Sequence, residues 1–324
     1  MKKNTKSTMQ ICKNLDMSGK VSVFVPTSEE TAILEKLNGA DEYSKLSEMS
    51  VEERQFLNGL ILRNKPKKLL ELGVSSGGSS VIMLNAIKEL SDTKLYSIEY
   101  LPYWYKNKNK KVGFVVENYP VLKNQWKLFT GGLALNFMDE IGSDIDFCLI
   151  DTMHTNPGEI LDFLMVLPYL KDGAIVVFHD TNLQTAGKMF QWHFTNNLLM
   201  SSIVGNKILQ GNFDAKTAWS KVAFPNIGVV EISQETRQHL YSIFNLLTLQ
   251  WYYLPSETEQ LAMLKFFEKH YSLYFVNYLE QVFDYHNKNF HKHHGIRHKL
   301  KETAKKIPFA WTVMDKLYGS QSNK

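Results

Sequence analysis

Between Lys67 and Asp180 the chain alternates short apolar segments with helical ones, and this alternation limits the fold more than any other feature of its 324 residues. Each apolar segment has the length of a strand and is apolar on both faces, which is typical of a parallel sheet covered by helices on both sides. The predicted strands are KKLLELG, KLYSIEY, QWKLFTG, IDFCLID and GAIVVFHD. Helical segments such as SSVIMLNAIKEL and PGEILDFLMVLPYL separate them. The pattern predicts an α/β fold.

The segments on either side of this core differ from it in composition. Residues 1–45 are polar and lysine-rich, which predicts an N-terminal arm with one short helix. Residues 46–234 contain the alternating core, opened by a helix with Ser50 and Glu53 as a capping box and closed by a late strand in FPNIGVVEIS. Residues 235–324 are rich in aromatic residues at helical spacing, which predicts a helical C-terminal subdomain with a basic tail.

Charge and cysteine usage narrow the class of protein. The formal net charge of +4 is too small to suggest a nucleic-acid binder. The basic excess is concentrated in NKNFHKHHGIRHKLKETAKK, which is either a solvated tail or a contact for anionic lipid headgroups. Cys12 and Cys148 form no CxxC pair, so we expect a reducing, cytoplasmic setting. No segment has the apolar length of a signal peptide or a bilayer span.

The turn after the first predicted strand, LLELGVSSGGSS, has the glycines of a nucleotide-binding turn at the wrong spacing for a dinucleotide. A Gly-x-Gly-x-x-Gly sequence lets the backbone approach a pyrophosphate, but here Ser75 replaces the middle glycine. Glu71 would also repel a pyrophosphate. It suits a ligand with an amino group and a sulfonium, such as S-adenosylmethionine, whose carboxylate would bind serine hydroxyls and backbone amides. The predicted donor-binding residues of this turn are Glu71, Gly73, Ser75, Gly77, Gly78 and Ser79.

An adenosine ligand also needs an acceptor for its ribose hydroxyls at the end of the second strand of such a sheet. Glu99 ends the predicted strand KLYSIEY and is correctly placed for this role. Taken alone, Glu99 would be an ordinary surface carboxylate. Together with the glycine turn and the strand order, it is predicted to bind the ribose.

Three segments, LLELGVSSGGSS, LYSIEY and IDFCLIDTMHTNPGEILDFLMVLPYLKDGAIVVFHD, together resemble the class I S-adenosylmethionine-dependent methyltransferases. The resemblance covers roughly residues 45–232 and is strongest to the bacterial branch that includes cephalosporin-hydroxylase-like and glycan O-methyltransferases. It implies a Rossmann-like sheet of seven strands with the last antiparallel. Many members carry an acidic residue after the third strand for the adenine amino group, whereas this chain has FTGGLALN there.

Chemistry is expected at the ends of the fourth and fifth strands, where two carboxylates and two imidazoles converge. Resemblance to metal-dependent O-methyltransferases implies that Asp151 and Asp180 hold a divalent metal such as Mg²⁺, which lowers the pKa of the acceptor hydroxyl. In the alternative mechanism, His154 or His179 accepts the hydroxyl proton as a general base. We favour His154, because the Asp-x-x-His spacing puts it on the loop past the strand. The predicted catalytic residues are His154, Asp151 and His179, and Asp151 is also expected to contact the donor.

The acceptor pocket is expected in segments outside the core sheet. The candidate lining residues are Tyr103, Trp104, Tyr105, Trp192 and His193. Aromatic rings stack on sugar faces and on planar ligands alike, so they do not separate a glycan from an aromatic acceptor. The predicted function is S-adenosylmethionine-dependent O-methylation of a sugar, glycan or small-molecule hydroxyl, with polysaccharide modification as one setting and a homo-oligomer left open. The alternatives are a nicotinamide-dependent oxidoreductase or nucleotide-sugar enzyme, and a methyltransferase-like binding module without chemistry.

Overall fold

The computed structural model describes residues 21–38, 47–183, 195–211 and 225–294. The chain divides into two compact units, Met1–Tyr252 and Tyr253–Lys324. The sequence places the start of the C-terminal subdomain at residue 235, whereas the short helices Gln234–Gln238 and Leu240–Leu246 belong to the first unit. Among the described helices, none combines the length and the apolar composition needed to cross a membrane.

A mostly parallel sheet forms the centre of the first unit. The described strands are β1 (Val21–Phe24), β2 (Lys68–Leu72), β3 (Lys94–Glu99), β4 (Tyr103–Trp104), β5 (Asn107–Lys111), β6 (Trp126–Thr130), β7 (Ile145–Ile150), β8 (Leu170–His179), β9 (Lys207–Gln210) and β10 (Ile227–Glu231). The sheet order is β1-β9-β10-β8-β7-β2-β3-β6, and β4 and β5 form a separate hairpin. β10 runs antiparallel to β8 and β9, and the other paired strands of the sheet run parallel. The predicted α/β sheet with an antiparallel last strand is confirmed.

Within the described residues the sheet has eight strands rather than seven, because β1 is added at its edge beside β9. β1 and β9 are not predicted from the sequence, which assigns residues 1–45 to an arm. The structure instead includes residues 21–38 in the first unit, where Phe24 packs edge to face on Phe56 with ring centroids 5.4 Å apart. Three of the four residues of β1 are exposed, so it lacks the apolar pattern that marks a buried strand.

Helices pack on the sheet and on one another. In the first unit they are α1 (Ser28–Asn38), α2 (Val51–Asn64), α3 (Gly78–Ile87), α4 (Met138–Ile141), α5 (Gly158–Val166), α6 (Asn196–Ser202), α7 (Gln234–Gln238) and α8 (Leu240–Leu246). Short 3-10 helices lie at Phe114–Asn118, Pro120–Gln125, Ala134–Asn136 and Leu167–Tyr169. The predicted capping box opens α2: Ser50 Oγ accepts from the Glu53 amide (3.2 Å), and the Glu53 carboxylate accepts from the Ser50 amide (2.5 Å).

The second unit contains two helices that pack against each other, α9 (Glu257–His270) and α10 (Leu273–His294). Phe267 and Leu279 are fully buried in it. The predicted helical C-terminal part is thereby confirmed. Of the basic run, residues 295–306 lie outside the described residues, so its contact with a membrane surface remains a prediction.

Candidate active site

The predicted site residues gather at one rim of the sheet. The neighbouring strands β3, β2, β7 and β8 run parallel, so their carboxyl ends meet there. In the register of these strands, Leu72 lies beside Ile98 and Ile150. The glycine loop, Glu99, Asp151 and the pair His179–Asp180 occupy this rim, which is where doubly wound sheets bind ligands.

Left-handed backbone and close approach shape the glycine loop, residues 73–78. Gly73 has φ +85° and Gly77 has φ +95°. A Cβ on Gly73 would lie 1.8 Å from the carbonyl oxygen of Asp151, and a Cβ on Gly77 would lie 2.9 Å from Gly113 Cα. Only glycine fits these two positions. Gly78 follows directly as the first residue of α3.

Glu71 lies beneath the loop and is fully buried. Its carboxylate accepts hydrogen bonds from the hydroxyls of Ser79 (2.5 Å), Ser80 (2.6 Å) and Ser97 (2.6 Å). Burial raises the pKa of Glu71 to about 7, although the three hydroxyls act to lower it. The first turn of α3 covers this carboxylate and uses the serine hydroxyls, so contact of Glu71 and Ser79 with a bound donor stays a prediction that this placement does not favour.

Glu99 joins the end of β3 to the glycine loop. Its Oε2 accepts from the amides of Val74 and Ser75, each at 3.0 Å, and its Oε1 accepts from the Leu101 amide at 3.3 Å. Ser75 is left-handed at φ 52°, and its hydroxyl accepts from Trp104 Nε1 at 3.1 Å. Glu99 is half-buried, and each carboxylate oxygen can accept a further hydrogen bond. Its role at the ribose stays a prediction that this placement favours.

Asp151, His154 and Asp180 form an acidic cluster on the far side of the rim. His154 Nε2 lies 3.3 Å from Asp180 Oδ2 and 3.7 Å from Asp151 Oδ1. All three side chains are about one-fifth exposed, so a ligand can reach them. His154 and Asp180 both have left-handed backbone, at φ 56° and φ 53°. Such backbone is uncommon outside glycine and is often found at functional sites.

The ring of His154 is oriented by Glu159, a fully buried residue in the first turn of α5. His154 Nδ1 lies 3.0 Å from Glu159 Oε1, which turns Nε2 toward the two aspartates. Burial alone would lower the pKa of His154. The hydrogen bond to Glu159 and the charges of Asp180 and Asp151 raise that pKa to about 9 instead.

His179 is buried between two carboxylates. Its Nδ1 lies 3.1 Å from Asp151 Oδ1, and its Nε2 lies 3.3 Å from Glu53 Oε2. Burial opposes a charge on the ring, but Asp151, Asp180 and Glu53 raise its pKa well above the ordinary value. Only 2% of His179 is exposed. His179 thus lies buried behind Asp151, and its role as a catalytic base stays a prediction that this burial does not favour.

Sequence reasoning missed four polar residues that hold this site together. They are Glu53, Glu159, Asn196 and Asn226. Asn196 Nδ2 donates to the carbonyl of His179 at 3.0 Å. Glu53 appeared in the sequence only as half of a capping box. A signal existed for Glu159 alone, as a carboxylate five residues after His154 at the start of a helix.

The cluster can hold a metal ion. One ligand atom each from Asp151, His154 and Asp180 lie within 4.8 Å of one another. Two carboxylate oxygens suit Mg²⁺ or Mn²⁺, and the added imidazole nitrogen also suits Fe²⁺ or Zn²⁺. The donor set therefore fits a divalent cation, with His154 joining the two aspartates expected from the sequence.

The predicted aromatic lining lies partly on the β4–β5 hairpin. Tyr103 and Trp104 are half-buried there, and Tyr105 is exposed with its hydroxyl on Glu48 (2.7 Å). Trp104 donates a hydrogen bond to Ser75 of the glycine loop, so the hairpin lies beside that loop. The other two candidates, Trp192 and His193, lie outside the described residues. The acceptor role of these rings stays a prediction.

Several solved structures are similar to this chain. The O-methyltransferase TomG from Streptomyces achromogenes, solved with S-adenosylmethionine, is 14% identical over 70% of this chain and 96% of its own, with a TM-score of 0.43. An O-methyltransferase from Bacillus cereus, solved with S-adenosylhomocysteine, is 16% identical over 70% and 97%, with a TM-score of 0.42. The Podospora anserina methyltransferase PaMTH1, also bound to S-adenosylhomocysteine, is 15% identical over 56% and 72%, with a TM-score of 0.36.

A family model gives the more direct comparison. Residues 70–181 match a model described as a methyltransferase domain, and the curated proteins contain no match. The matched segment runs from β2 to just past Asp180, so it includes the glycine loop, Glu99 and the acidic cluster. This match favours the methyltransferase prediction over the nicotinamide-dependent and nucleotide-sugar alternatives. Residues 70–181 are thus similar to a methyltransferase domain.

Proposed function

We propose that this enzyme methylates a hydroxyl oxygen of a small-molecule acceptor, and that the acceptor is a sugar or glycan. One observation carries the O-methylation proposal: the acidic cluster touches the donor loop directly. The Asp151 amide donates to the carbonyl of Leu72 at 2.9 Å, and the Asp151 carbonyl fills the space beside Gly73. Groups that can handle a hydroxyl proton therefore lie beside the loop expected to hold the donor. The sugar class rests on the sequence resemblance alone.

The transfer needs the acceptor hydroxyl to lose its proton. The acceptor oxygen attacks the donor methyl carbon, the carbon–sulfur bond breaks, and its electron pair stays on sulfur, so S-adenosylhomocysteine leaves as a neutral thioether. His154 Nε2 is partly exposed and is placed to accept the proton. Asp180, at 3.3 Å, would stabilise the imidazolium that forms. Alignment of donor and acceptor contributes further, since well-oriented reactants reach effective molarities of about 10⁵–10⁸ M.

His154 can accept a proton only while its ring is neutral. When only the neighbouring carboxylates surround it, the His154 ring has a pKa of about 9 and is mostly protonated at neutral pH. Asp151 and Asp180 would hold a divalent cation, which would supply positive charge in place of that proton and would lower the pKa of an acceptor hydroxyl. We therefore expect methyl transfer to be sensitive to chelators.

The test is to incubate the protein with methyl-labelled S-adenosylmethionine and cell extract, with and without chelator, and to identify the labelled product. Calorimetry with S-adenosylmethionine and with NAD is run in parallel. We expect donor binding, a labelled hydroxyl compound, and loss of labelling with chelator or with Asp151→Asn. The exposed Asp172→Asn variant is the matched control and should label normally. Donor binding without any labelled product would instead support a binding module without chemistry.

A further inference from the structure

We propose that Glu53 is a positioning residue that fixes the side chains of both Asp151 and Asp180, each through a different oxygen of its carboxylate. This inference rests on the proposed function, because it assigns the two aspartates to the reaction. Glu53 lies in the first turn of α2, outside the matched methyltransferase segment, and only 2% of it is exposed.

The first bridge runs through His179. Glu53 Oε2 lies 3.3 Å from His179 Nε2, and His179 Nδ1 lies 3.1 Å from Asp151 Oδ1. Glu53 and His179 are both almost completely buried, and the contact between Oε2 and Nε2 is a close approach rather than an aligned hydrogen bond. The His179 ring thus lies between the carboxylates of Glu53 and Asp151, and its position fixes the direction of one Asp151 oxygen.

The second bridge runs through Asn226. Its Nδ2 donates to Glu53 Oε1 at 3.0 Å and to Asp180 Oδ1 at 2.7 Å. The Asn226 Oδ1 accepts from the backbone amide of Asn182 at 2.9 Å, which settles which end of the amide is the donor. Both hydrogens of the amide nitrogen are therefore used. Asp180 keeps its other oxygen, Oδ2, directed at His154.

Helix capping alone does not account for this arrangement. Glu53 belongs to a capping box with Ser50, and glutamine serves in such a box as well as glutamate does. A glutamine at this position has one acceptor oxygen and one amide that can only donate. If that oxygen keeps the capping bond to the Ser50 amide, as Glu53 Oε2 does, the amide nitrogen faces Asn226 Nδ2, which is also a donor, so Glu53→Gln keeps the cap and breaks the bridge through Asn226.

Two variants separate positioning from capping. Glu259→Gln makes the same change in the corresponding capping box of α9, where Ser256 Oγ accepts from the Glu259 amide. Ser50→Ala weakens the cap of α2, at a cost of about 1 kcal/mol in stability, and leaves the Glu53 carboxylate in place. The measurements are kcat and KM for S-adenosylmethionine on the labelled acceptor, Kd for S-adenosylhomocysteine, and Tm.

We expect Glu53→Gln to lower kcat by about 10- to 100-fold, the range found when groups behind catalytic ligands are changed. Its KM for the donor, its Kd and its Tm should stay near the wild-type values, and both control variants should keep kcat. A Glu53→Gln enzyme with wild-type kcat overturns the inference. So does a loss of kcat accompanied by equal losses of donor affinity and Tm, which would indicate a structural role only.

A crystallographic comparison tests the same inference without turnover. In Glu53→Gln, at least one of the contacts His179 Nδ1–Asp151 Oδ1 and Asn226 Nδ2–Asp180 Oδ1 should be lost. If wild type binds the donor but methylates no acceptor, the proposed function fails, and this comparison still decides the role of Glu53. Unchanged positions of both aspartates would refute it.

Discussion

The carboxylates at the two ends of the rim, Glu71 and Asp151, have pKa values shifted in opposite directions. Glu71, under the glycine loop, is surrounded by serine hydroxyls, and burial raises its pKa to about 7. At the far end, burial also acts to raise the pKa of Asp151, but the charges of His179 and His154 hold it below the ordinary value. Hydroxyls satisfy the hydrogen bonds of a carboxylate without supplying charge, whereas imidazoles supply both. The donor end is thus a polar support, and the far end is an ionised centre.

The backbone differs between the same two regions. The glycine loop takes most of its left-handed turns with glycine, which adopts them at little cost. At the far end the left-handed residues are His154 and Asp180, for which this conformation is unfavourable. The side chains needed there cannot be replaced by glycine, so the strain is retained. This contrast favours the far end as the part of the rim where the proposed side-chain chemistry takes place.

The contrast between the two ends of the rim predicts its largest effect for removal of the His154 side chain. His154→Ala should lower kcat by about 10²–10⁴-fold, the usual contribution of a general acid or base. Donor affinity should be unchanged, because the glycine loop and Glu99 are untouched. Steady-state kinetics and calorimetry with S-adenosylhomocysteine check both points.

A second measurement on this variant separates two roles for His154. If the ring is a metal ligand, Mn²⁺ binding by calorimetry should weaken in His154→Ala, and if it is a base alone, Mn²⁺ affinity should stay. Full activity of His154→Ala would remove the chemical distinction between the two ends of the rim.

A smaller effect is expected at the donor end. Glu99→Ala should weaken binding of S-adenosylmethionine by about 10- to 100-fold, because a hydrogen bond to a charged group contributes about 1.5–3 kcal/mol. The loop amides of Val74 and Ser75 also lose their acceptor. Calorimetry measures the affinity, and far-UV circular dichroism checks that the fold is kept. Wild-type affinity in Glu99→Ala would place the ribose elsewhere.

Much of the fold follows from sequence because it depends on local patterns. The strands at the centre of the sheet are apolar on both faces, and β2, β7 and β8 are recognisable for that reason. Functional side chains at strand ends follow as well, since parallel topology brings Glu99, Asp151 and Asp180 to one rim. β1, at one edge of the sheet, and β9, beside it, were missed, because most of their residues are not buried and they lack the apolar pattern of a central strand.

The sequence did not predict the direction in which each polar side chain points. Glu71 and His179 both lie at the predicted rim, but their side chains are buried and contact other protein groups. The sequence around Asn226 does not indicate its partners, because Glu53 and Asp180 are distant from it along the chain. Long-range pairing of polar groups has no local pattern, and the order of packed helices decides it.

The smallest effect concerns the proton on Glu71. The pKa of this carboxyl is about 7 in the folded protein and ordinarily 4.5, so the native state binds more protons between these values. Its contribution to stability is fully present below about pH 4.5 and is lost as pH rises to about 7, by at most about 1.4 kcal/mol per pH unit. Glu71→Gln cannot titrate and lacks this loss.

Urea unfolding of both proteins from pH 5 to pH 8 isolates the effect as a difference between two curves. The wild type should lose stability relative to Glu71→Gln as pH rises through this window. Ser97→Ala sharpens the test, since it removes a hydroxyl that lowers the pKa of Glu71, and the loss should then extend to higher pH. Parallel curves for wild type and Glu71→Gln would mean that Glu71 is ionised like Asp151, and that hydroxyls hold a buried charge as well as imidazoles do.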